Sequence, residues 1–196
     1  MPRGRTREFD IERALDQAID VFWRQGYEAT SIADLTAAMG INPPSLYAAF
    51  GNKRQLFDRA VDKYIHCRSD YLKRAVAEPT GREAARTMLM GVVEGATLDG
   101  HPTGCLLLQG GLACADENLS VQEELTDRRE QTRKAMQLRF DQAVADGDFP
   151  PSTDTAKLAR YYATVATGLN VQAASGVPRE ELVETVELAM AAFPGT

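Results

Sequence analysis

Residues 30–53 constrain the fold of this chain more than any other segment, because they predict two short helices joined by a tight turn. Thr30 and Ser31 both favour the N-cap position of a helix. Asp34 follows in the first turn, where a carboxylate suits the helix dipole. Apolar residues then continue at helical spacing up to Gly40, which can take the left-handed backbone that ends a helix.

The second helix of the pair begins beside two prolines. Asn42 can cap it; alternatively Pro43 is the cap, since a residue that precedes proline is driven away from helical angles. Leu46 and Phe50 lie four residues apart and face the same, inward side of this helix. Two helices that meet at such a turn form a helix-turn-helix, which lays its second helix in the major groove of DNA. Similar helix pairs also occur in all-α proteins that do not bind DNA.

The outward side of the second helix carries small residues, which let a helix backbone approach base edges closely. The Tyr47 hydroxyl can reach a phosphate, and Lys53 begins the next helix beside the same phosphate track. The predicted DNA-contacting residues are Pro43, Pro44, Ser45, Tyr47 and Lys53, with Thr30 and Ser31 against the DNA backbone.

A basic arm precedes the first predicted helix. The N-terminal residues MPRGRTR contain Arg3, Arg5 and Arg7 and no acid. A flexible basic arm beside a helix-turn-helix suits phosphates or a minor groove. The same composition is also that of a solvated tail, so the arm alone does not establish DNA binding.

A supporting helix is predicted over residues 10–25, where apolar side chains recur at helical spacing. Gly26 closes it. Trp23 and Tyr27, near its end, are expected to belong to the protein core and not to a ligand site.

Together these features resemble the tetracycline-repressor (TetR) family of bacterial regulators over roughly residues 10–57. The positions that carry the resemblance are Thr30, Gly40, Ile41, Leu46, Tyr47, Phe50 and Lys53. Many family members have glycine in place of Pro44 and bulkier residues in place of Ala48 and Ala49. These departures leave the fold intact but make the base preference unpredictable. The resemblance implies a homodimeric repressor that binds a palindromic DNA operator and is released by a small-molecule effector.

The charge distribution fits binding at one end of the molecule. The chain carries a net charge of -6, yet residues 1–59 hold eight basic and eight acidic residues and are neutral. Residues 60–196 therefore carry the whole negative charge. Phosphate repels such an acidic body, which would turn the other end toward DNA. This pattern disfavours a general nucleic-acid coating protein.

Length and composition predict an all-α protein of about nine helices. The expected division is a helix-turn-helix DNA-binding domain over residues 1–52 and a helical effector-binding and dimerisation domain over residues 53–196. With 44% hydrophobic residues, the chain can build a substantial core. No segment resembles a signal peptide, and no apolar run reaches the roughly 18 residues of a membrane span. Three cysteines are an odd number, which argues against a disulfide framework and fits a reducing cytoplasm.

The body is predicted to continue as helices over residues 53–77, 82–98, part of 104–115, 120–145, 155–175 and 179–193. The last two helices each carry an apolar stripe: Leu158, Tyr161, Tyr162, Val165 and Leu169 on one, and Leu182, Val186, Ala189, Met190 and Phe193 on the other. Such stripes can pack on the protein's own core. In the resembling family the last two helices form a four-helix dimer interface, and we assign residues 153–193 that role.

The resemblance also implies an effector pocket among the middle helices. An effector releases DNA only if it prefers the conformation that does not bind DNA. Each candidate is also an ordinary core residue type. The candidates are Met88, Val92, Cys105, Leu107, Leu108, Phe140, Tyr161 and Tyr162.

Cys105 suggests an alternative trigger. It follows His101-Pro102-Thr103-Gly104, where a glycine and a helix start can expose a thiol and lower its pKa. A repressor that senses electrophiles or oxidants through Cys105 is therefore an alternative; the simpler interpretation is a small buried side chain. No metal site is predicted, because Pro102 and Gly104 interrupt a helical face that could join His101 to Cys105.

No catalytic or cofactor site is predicted. Only two histidines are present, His66 and His101, and no nucleophile, base and acid group together. Paired carboxylates such as Glu123-Glu124 lie on polar helix faces. A second alternative is an architectural DNA-binding dimer without an effector, which would bind with little sequence preference and strong salt dependence.

Overall fold

Helices α1 to α4 fold around the turn that the sequence predicts, and six further α-helices form the body. The computed structural model describes residues 10–112 and 114–193, and within these ranges it contains no strand. The ten α-helices are α1 (Ile11–Ala29), α2 (Ile32–Met39), α3 (Pro43–Phe50), α4 (Lys53–Arg68), α5 (Asp70–Ala77), α6 (Gly81–Ala96), α7 (Leu106–Gln109), α8 (Leu119–Ala145), α9 (Thr155–Ala174) and α10 (Arg179–Ala191). The predicted all-α class is confirmed.

The prediction of a single helix over residues 53–77 is wrong, because two helices, α4 and α5, occupy this range. Ser69 takes φ -85° and ψ -2° between α4 and α5, which ends the regular helix. The change of direction lets α5 lie against α6. At their crossing a Cβ on Gly91 would be 2.4 Å from the Tyr71 Cβ, so the two backbones approach as closely as glycine allows.

Local capping fixes the two helices of the predicted motif. The Ser31 side chain accepts from the Asp34 N–H while Asp34 accepts from the Ser31 N–H, which forms a capping box at the start of α2. Gly40 ends α2 in the left-handed conformation, at φ 65°. The Asn42 side chain accepts from the Ser45 N–H at 2.9 Å, so Asn42, and not Pro43, caps α3.

The first hydrophobic core joins α1, α2, α3 and α4, and α7 and α8 contribute to it. Trp23 and Tyr27 are buried in it, as predicted. Three aromatic edge contacts connect α1 to α4, with ring centroids 4.9–5.0 Å apart. The principal aromatic members are Phe22, Trp23, Tyr27, Phe50, Phe57 and Tyr64.

The second hydrophobic core lies among α5, α6, α8, α9 and α10. Phe140 and Tyr162 are fully buried in it, and the Tyr162 hydroxyl donates to the Ala189 carbonyl at 3.3 Å. The apolar stripe predicted over residues 179–193 packs into this same core.

The short helix α7 connects the body to α1. The Tyr27 N–H donates to the Gly110 carbonyl at 2.9 Å, and the Trp23 indole N–H donates to the Gln109 side-chain oxygen at 2.9 Å. Arg68 adds a second connection: its guanidinium lies 4.8 Å from the Trp23 ring centroid and donates to the Gly95 carbonyl at 2.9 Å. Side chains of α4 and α7 therefore both contact the Trp23 indole, and α6 is connected to it through Arg68.

Gly26 is where α1 makes its closest approach to α7, and it provides the first prediction. Its backbone lies at φ 76° and ψ 170°, a region that only glycine occupies comfortably. A Cβ would also be 3.0 Å from the Gln109 carbonyl oxygen. We expect Gly26→Ala to lower the free energy of unfolding by about 1–3 kcal/mol, measured by urea titration.

Gly95→Ala is the matched control, because it lies inside α6 and its Cβ would meet nothing within 4 Å. There alanine should stabilise the protein by about 0.5–1 kcal/mol. An equal effect of the two substitutions would contradict the strain assigned to Gly26.

Candidate DNA-binding surface and internal cavity

The outward face of α3 is small, exposed and free of acidic residues. Pro43, Pro44 and Tyr47 are exposed and Ser45 is half-buried, whereas Leu46 is fully buried beneath them. No aspartate or glutamate occurs over residues 35–57. The structure therefore brings four of the predicted DNA-contacting residues onto one surface, where a phosphate would meet no like charge from this segment.

Contacts from α4 support the rear of α3. The Arg59 guanidinium donates to the Ala49 carbonyl at 3.1 Å and lies 4.9 Å from the Phe50 ring centroid. Asn52 and Gln55 form a capping box at the start of α4. Sequence reasoning missed Arg59, because its role depends on α4 crossing the end of α3 and no local signal marks it.

Thr30 and Ser31 differ in what they present to the surface. Thr30 is buried, with 1% of its surface exposed, and its hydroxyl donates to the Gly26 carbonyl at 2.6 Å. Ser31 is exposed, but its hydroxyl donates to the Asp34 carboxylate at 2.6 Å. Hydrogen bonds from Ser31 hold the pKa of Asp34 below its ordinary value, so this cap stays charged.

Lys53 begins α4 and bends back toward α1. Its ammonium lies 4.5 Å from the Tyr27 ring centroid and donates to the Glu28 carbonyl at 3.4 Å. Partial burial lowers the pKa of Lys53 from its ordinary value, although the nearby Glu28 carboxylate opposes this shift. The predicted contacts Arg3, Arg5 and Arg7 lie outside the described residues.

A cavity of about 380 Å³ lies among α6, α7, α8 and α9. Five of the eight predicted pocket residues line it: Met88, Val92, Cys105, Leu107 and Leu108. The other three do not. Phe140 and Tyr162 are fully buried in the second core, and Tyr161 lies on the surface of α9, 44% exposed. Their apolar character suited a pocket equally well, so the sequence did not distinguish these locations.

The sequence analysis did not predict the charged side chains in the wall of this cavity. Arg133 and Arg160 both bind Glu130, at 2.8 and 2.6 Å. Hydrogen bonds from Arg160, and to a smaller extent from Arg133, lower the pKa of Glu130 to about 2. Arg129 instead donates to the Thr126 hydroxyl at 2.8 Å and to the Leu107 carbonyl. Three of these residues follow one another closely on α8, but only tertiary packing shows that they face a cavity.

Cys105 lies where this cavity meets a wider cleft of about 690 Å³ beside α1 and α4. Its side chain is half-buried, and the Tyr64 hydroxyl donates to its sulfur at 3.5 Å. A half-buried thiol beside a neutral phenol is an ordinary side chain of a cavity wall. This position does not favour the alternative in which Cys105 senses electrophiles or oxidants. Of the other two thiols, Cys67 is exposed, and burial raises the pKa of Cys114.

The described part of the chain has neither a metal-binding cluster nor a membrane-spanning helix. Across residues 10–112 and 114–193, no three His, Cys, Asp or Glu side chains group closely enough to hold a metal ion. Nor does any helix in the described part of the chain have the length and apolar character needed to cross a membrane.

Two protein-family models match the chain. The model described as bacterial regulatory proteins of the tetR family matches residues 14–60, which include α2, α3 and the turn between them. The model described as the tetracyclin repressor-like C-terminal domain matches residues 82–187, which include the cavity.

Curated relatives and a solved structure also match the chain, two of them over nearly its whole length. The transcriptional repressor ComR of Escherichia coli K12 is 30% identical over 194 residues, 98% of this chain and 92% of ComR. The repressor BdcR of the same strain is 37% identical over 109 residues, 55% of each chain. A cysteine mutant of the TetR-family regulator CifR, solved with double-strand operator DNA, is 42% identical with a TM-score of 0.92. That match covers 97% of this chain and 100% of the CifR chain. With both family models matched and a relative aligned almost end to end, this chain belongs to the TetR family of transcriptional regulators.

Proposed function

We propose that this protein is a repressor that binds a palindromic DNA operator as a homodimer and is released when a small molecule fills the internal cavity. The observation that carries the proposal is the acid-free, exposed face of α3, held rigidly by the Asn42 cap and by Arg59. The operator complex of the similar regulator CifR and the repressor activity of ComR support it. Action on DNA implies a cytoplasmic location and a role in binding, not in catalysis.

Residues 1–52 read the DNA in this proposal, and residues 53–196 sense the effector and dimerise. Pro43, Pro44 and Ser45 approach base edges, while the Tyr47 hydroxyl and the Lys53 ammonium bind phosphates. Ser31 lies beside the DNA backbone, and Arg3, Arg5 and Arg7 supply a basic arm. Because Thr30 is buried and bonded to Gly26, its proposed role is to hold the start of α2 in place.

The proposed dimer surface is the outward side of α9 and α10. Most residues of the predicted stripes pack inward, and of the stripe residues Tyr161 remains 44% exposed. Outside the stripes, Val171 on α9 and Leu188 on α10 are 47% and 73% exposed. Apolar side chains exposed on adjacent helices favour a partner surface. A two-fold axis through such a surface would present two copies of α3 to half-sites about 34 Å apart.

Selection of bound sequences from a random duplex pool tests the function. Enrichment of a palindromic sequence that a single dimer protects would support the proposed function. Failure to enrich any sequence, together with binding that disappears at physiological salt, would overturn sequence-specific repression and support the architectural alternative.

Tyr47→Phe tests the assignment of α3. Because the ring is half exposed and the substitution removes only a hydroxyl, the unfolding midpoint should not change. A lost hydrogen bond to a charged phosphate should weaken DNA binding about tenfold or more, measured by fluorescence anisotropy. The selected operator and an unrelated duplex should lose affinity by the same factor. A loss confined to one base position would contradict the phosphate contact.

Leu188→Glu tests the dimer surface. A carboxylate buried without a partner in a two-fold interface is costly, so the dimer should dissociate at concentrations where the parent protein remains dimeric. Operator affinity should fall by about tenfold or more, because one half-site contact is lost. Sedimentation velocity measures the oligomeric state.

Leu138→Glu is the matched control, since Leu138 is similarly exposed, at 68%, but lies on α8. It should remain dimeric. A monomeric Leu138→Glu and a dimeric Leu188→Glu would place the interface on α8 instead.

A further inference from the structure

One arginine of the cavity, Arg129, forms no close ion pair with any carboxylate that the structure describes. The charged residues that line the cavity are Arg129, Arg133, Arg160 and Glu130. Glu130 is shared by Arg133 and Arg160, which leaves Arg129 with only neutral acceptors. Among the residues that the structure describes, no carboxylate lies within ion-pair distance of Arg129. The wall therefore carries an excess of positive charge.

Arg129 is also partly removed from water. Its side chain is half-buried, and burial lowers its pKa from the ordinary value. Arginine stays protonated under these conditions, so the charge persists in a site that solvates it poorly. A planar guanidinium matches the two oxygens of a carboxylate, and desolvation strengthens such a pair.

The rest of the cavity is suited to an apolar body of modest size. Met88, Val92, Leu107, Leu108 and Met136 line it, and about 380 Å³ lies within the range of small-molecule sites. Apolar surface beside an arginine without a close carboxylate favours molecules that carry both an apolar body and an anionic group.

We infer that the effector is a small organic anion whose apolar body fills this cavity and whose carboxylate binds Arg129. The inference rests on the proposed function, because it names the chemical class that would act at the proposed effector site. A neutral apolar effector would leave the Arg129 charge without a counterion inside the complex.

The same guanidinium provides a route to the DNA-binding end. Arg129 now donates to the carbonyl of Leu107 on α7, and the neighbouring Gln109 accepts from the Trp23 indole of α1. A carboxylate that draws Arg129 into the cavity competes with the Leu107 carbonyl for its N–H groups. The competition frees α7 to move, and α7 is hydrogen-bonded to α1 through the backbone of Tyr27 and Gly110.

A panel of matched probes tests the ligand class. Hexanoate, octanoate, 4-phenylbutyrate and their primary amides differ in charge but little in shape. Binding to the full-length dimer is measured by isothermal titration calorimetry without DNA, so the result does not depend on the operator. At least one carboxylate should bind about tenfold or more tightly than its amide. Equal binding of acid and amide, or no binding by any carboxylate, would overturn the inference.

Arg129→Gln tests the residue. Glutamine keeps an N–H donor for the Leu107 carbonyl but removes the charge, so the fold should survive while the preference for acid over amide disappears. Lys134→Gln is the control, because it removes one positive charge from the exposed side of the same helix. Arg129→Lys should keep part of the preference. An Arg129→Gln protein that still prefers the acid by the parent factor would overturn the assignment.

Release from DNA is a separate measurement, by anisotropy on the selected operator. The carboxylate that binds best should displace the parent protein and leave Arg129→Gln bound. Tight binding that leaves operator affinity unchanged would overturn the α7 route. Failure to select any operator would instead count against repression itself, while the calorimetric preference would still stand.

Discussion

The packing of α1 against α4 is the interaction on which both ends of the molecule depend. Phe22 and Tyr27 pack edge-on against Phe57, and Trp23 packs against Tyr64, with centroids 4.9–5.0 Å apart. Aromatic pairs in this geometry add to the hydrophobic gain of burial. Because α4 also supports α3 through Arg59, the position of the DNA-binding helix follows from how α1 and α4 fit together. Any movement of α4 relative to α1 must therefore disturb these aromatic contacts.

Local chemistry explains which parts of the fold could be predicted. The caps at Ser31 and Asn42 and the turn at Gly40 depend on residues within a few positions of one another, so the sequence contained all the information needed. The break at Ser69 contains no glycine or proline, and it accompanies the close approach of Tyr71 to Gly91. A sequence pattern does not show such a contact, and one continuous helix was the natural expectation.

The amphipathic stripes predicted which side chains are buried, but not which part of the structure they pack against. The stripe of α10 packs into the protein's own core, whereas Leu188 on another side of the helix remains exposed. Likewise, Met88 and Phe140 have similar apolar character, yet only Met88 lines the cavity. Arg129 was missed because an arginine on a charged helix looks solvated until the packing of α7 gives it a buried side. The contacts of the proposed DNA-binding residues remain predictions from the motif.

Arg68 gives the break at Ser69 a mechanical meaning. Its guanidinium lies over the Trp23 ring of α1, 5.7 Å from the Tyr64 ring of α4, and bonded to the Gly95 carbonyl near the end of α6. A break in a long connecting helix would ordinarily act as a free joint between two bodies. Here the last side chain of α4 holds that helix to both α1 and α6 immediately before the break, so the break is braced. In the proposed mechanism, a shift of α6 therefore reaches α1 and α4 through the contacts of Arg68, and the strength of those contacts limits how easily the body can displace the DNA-binding end.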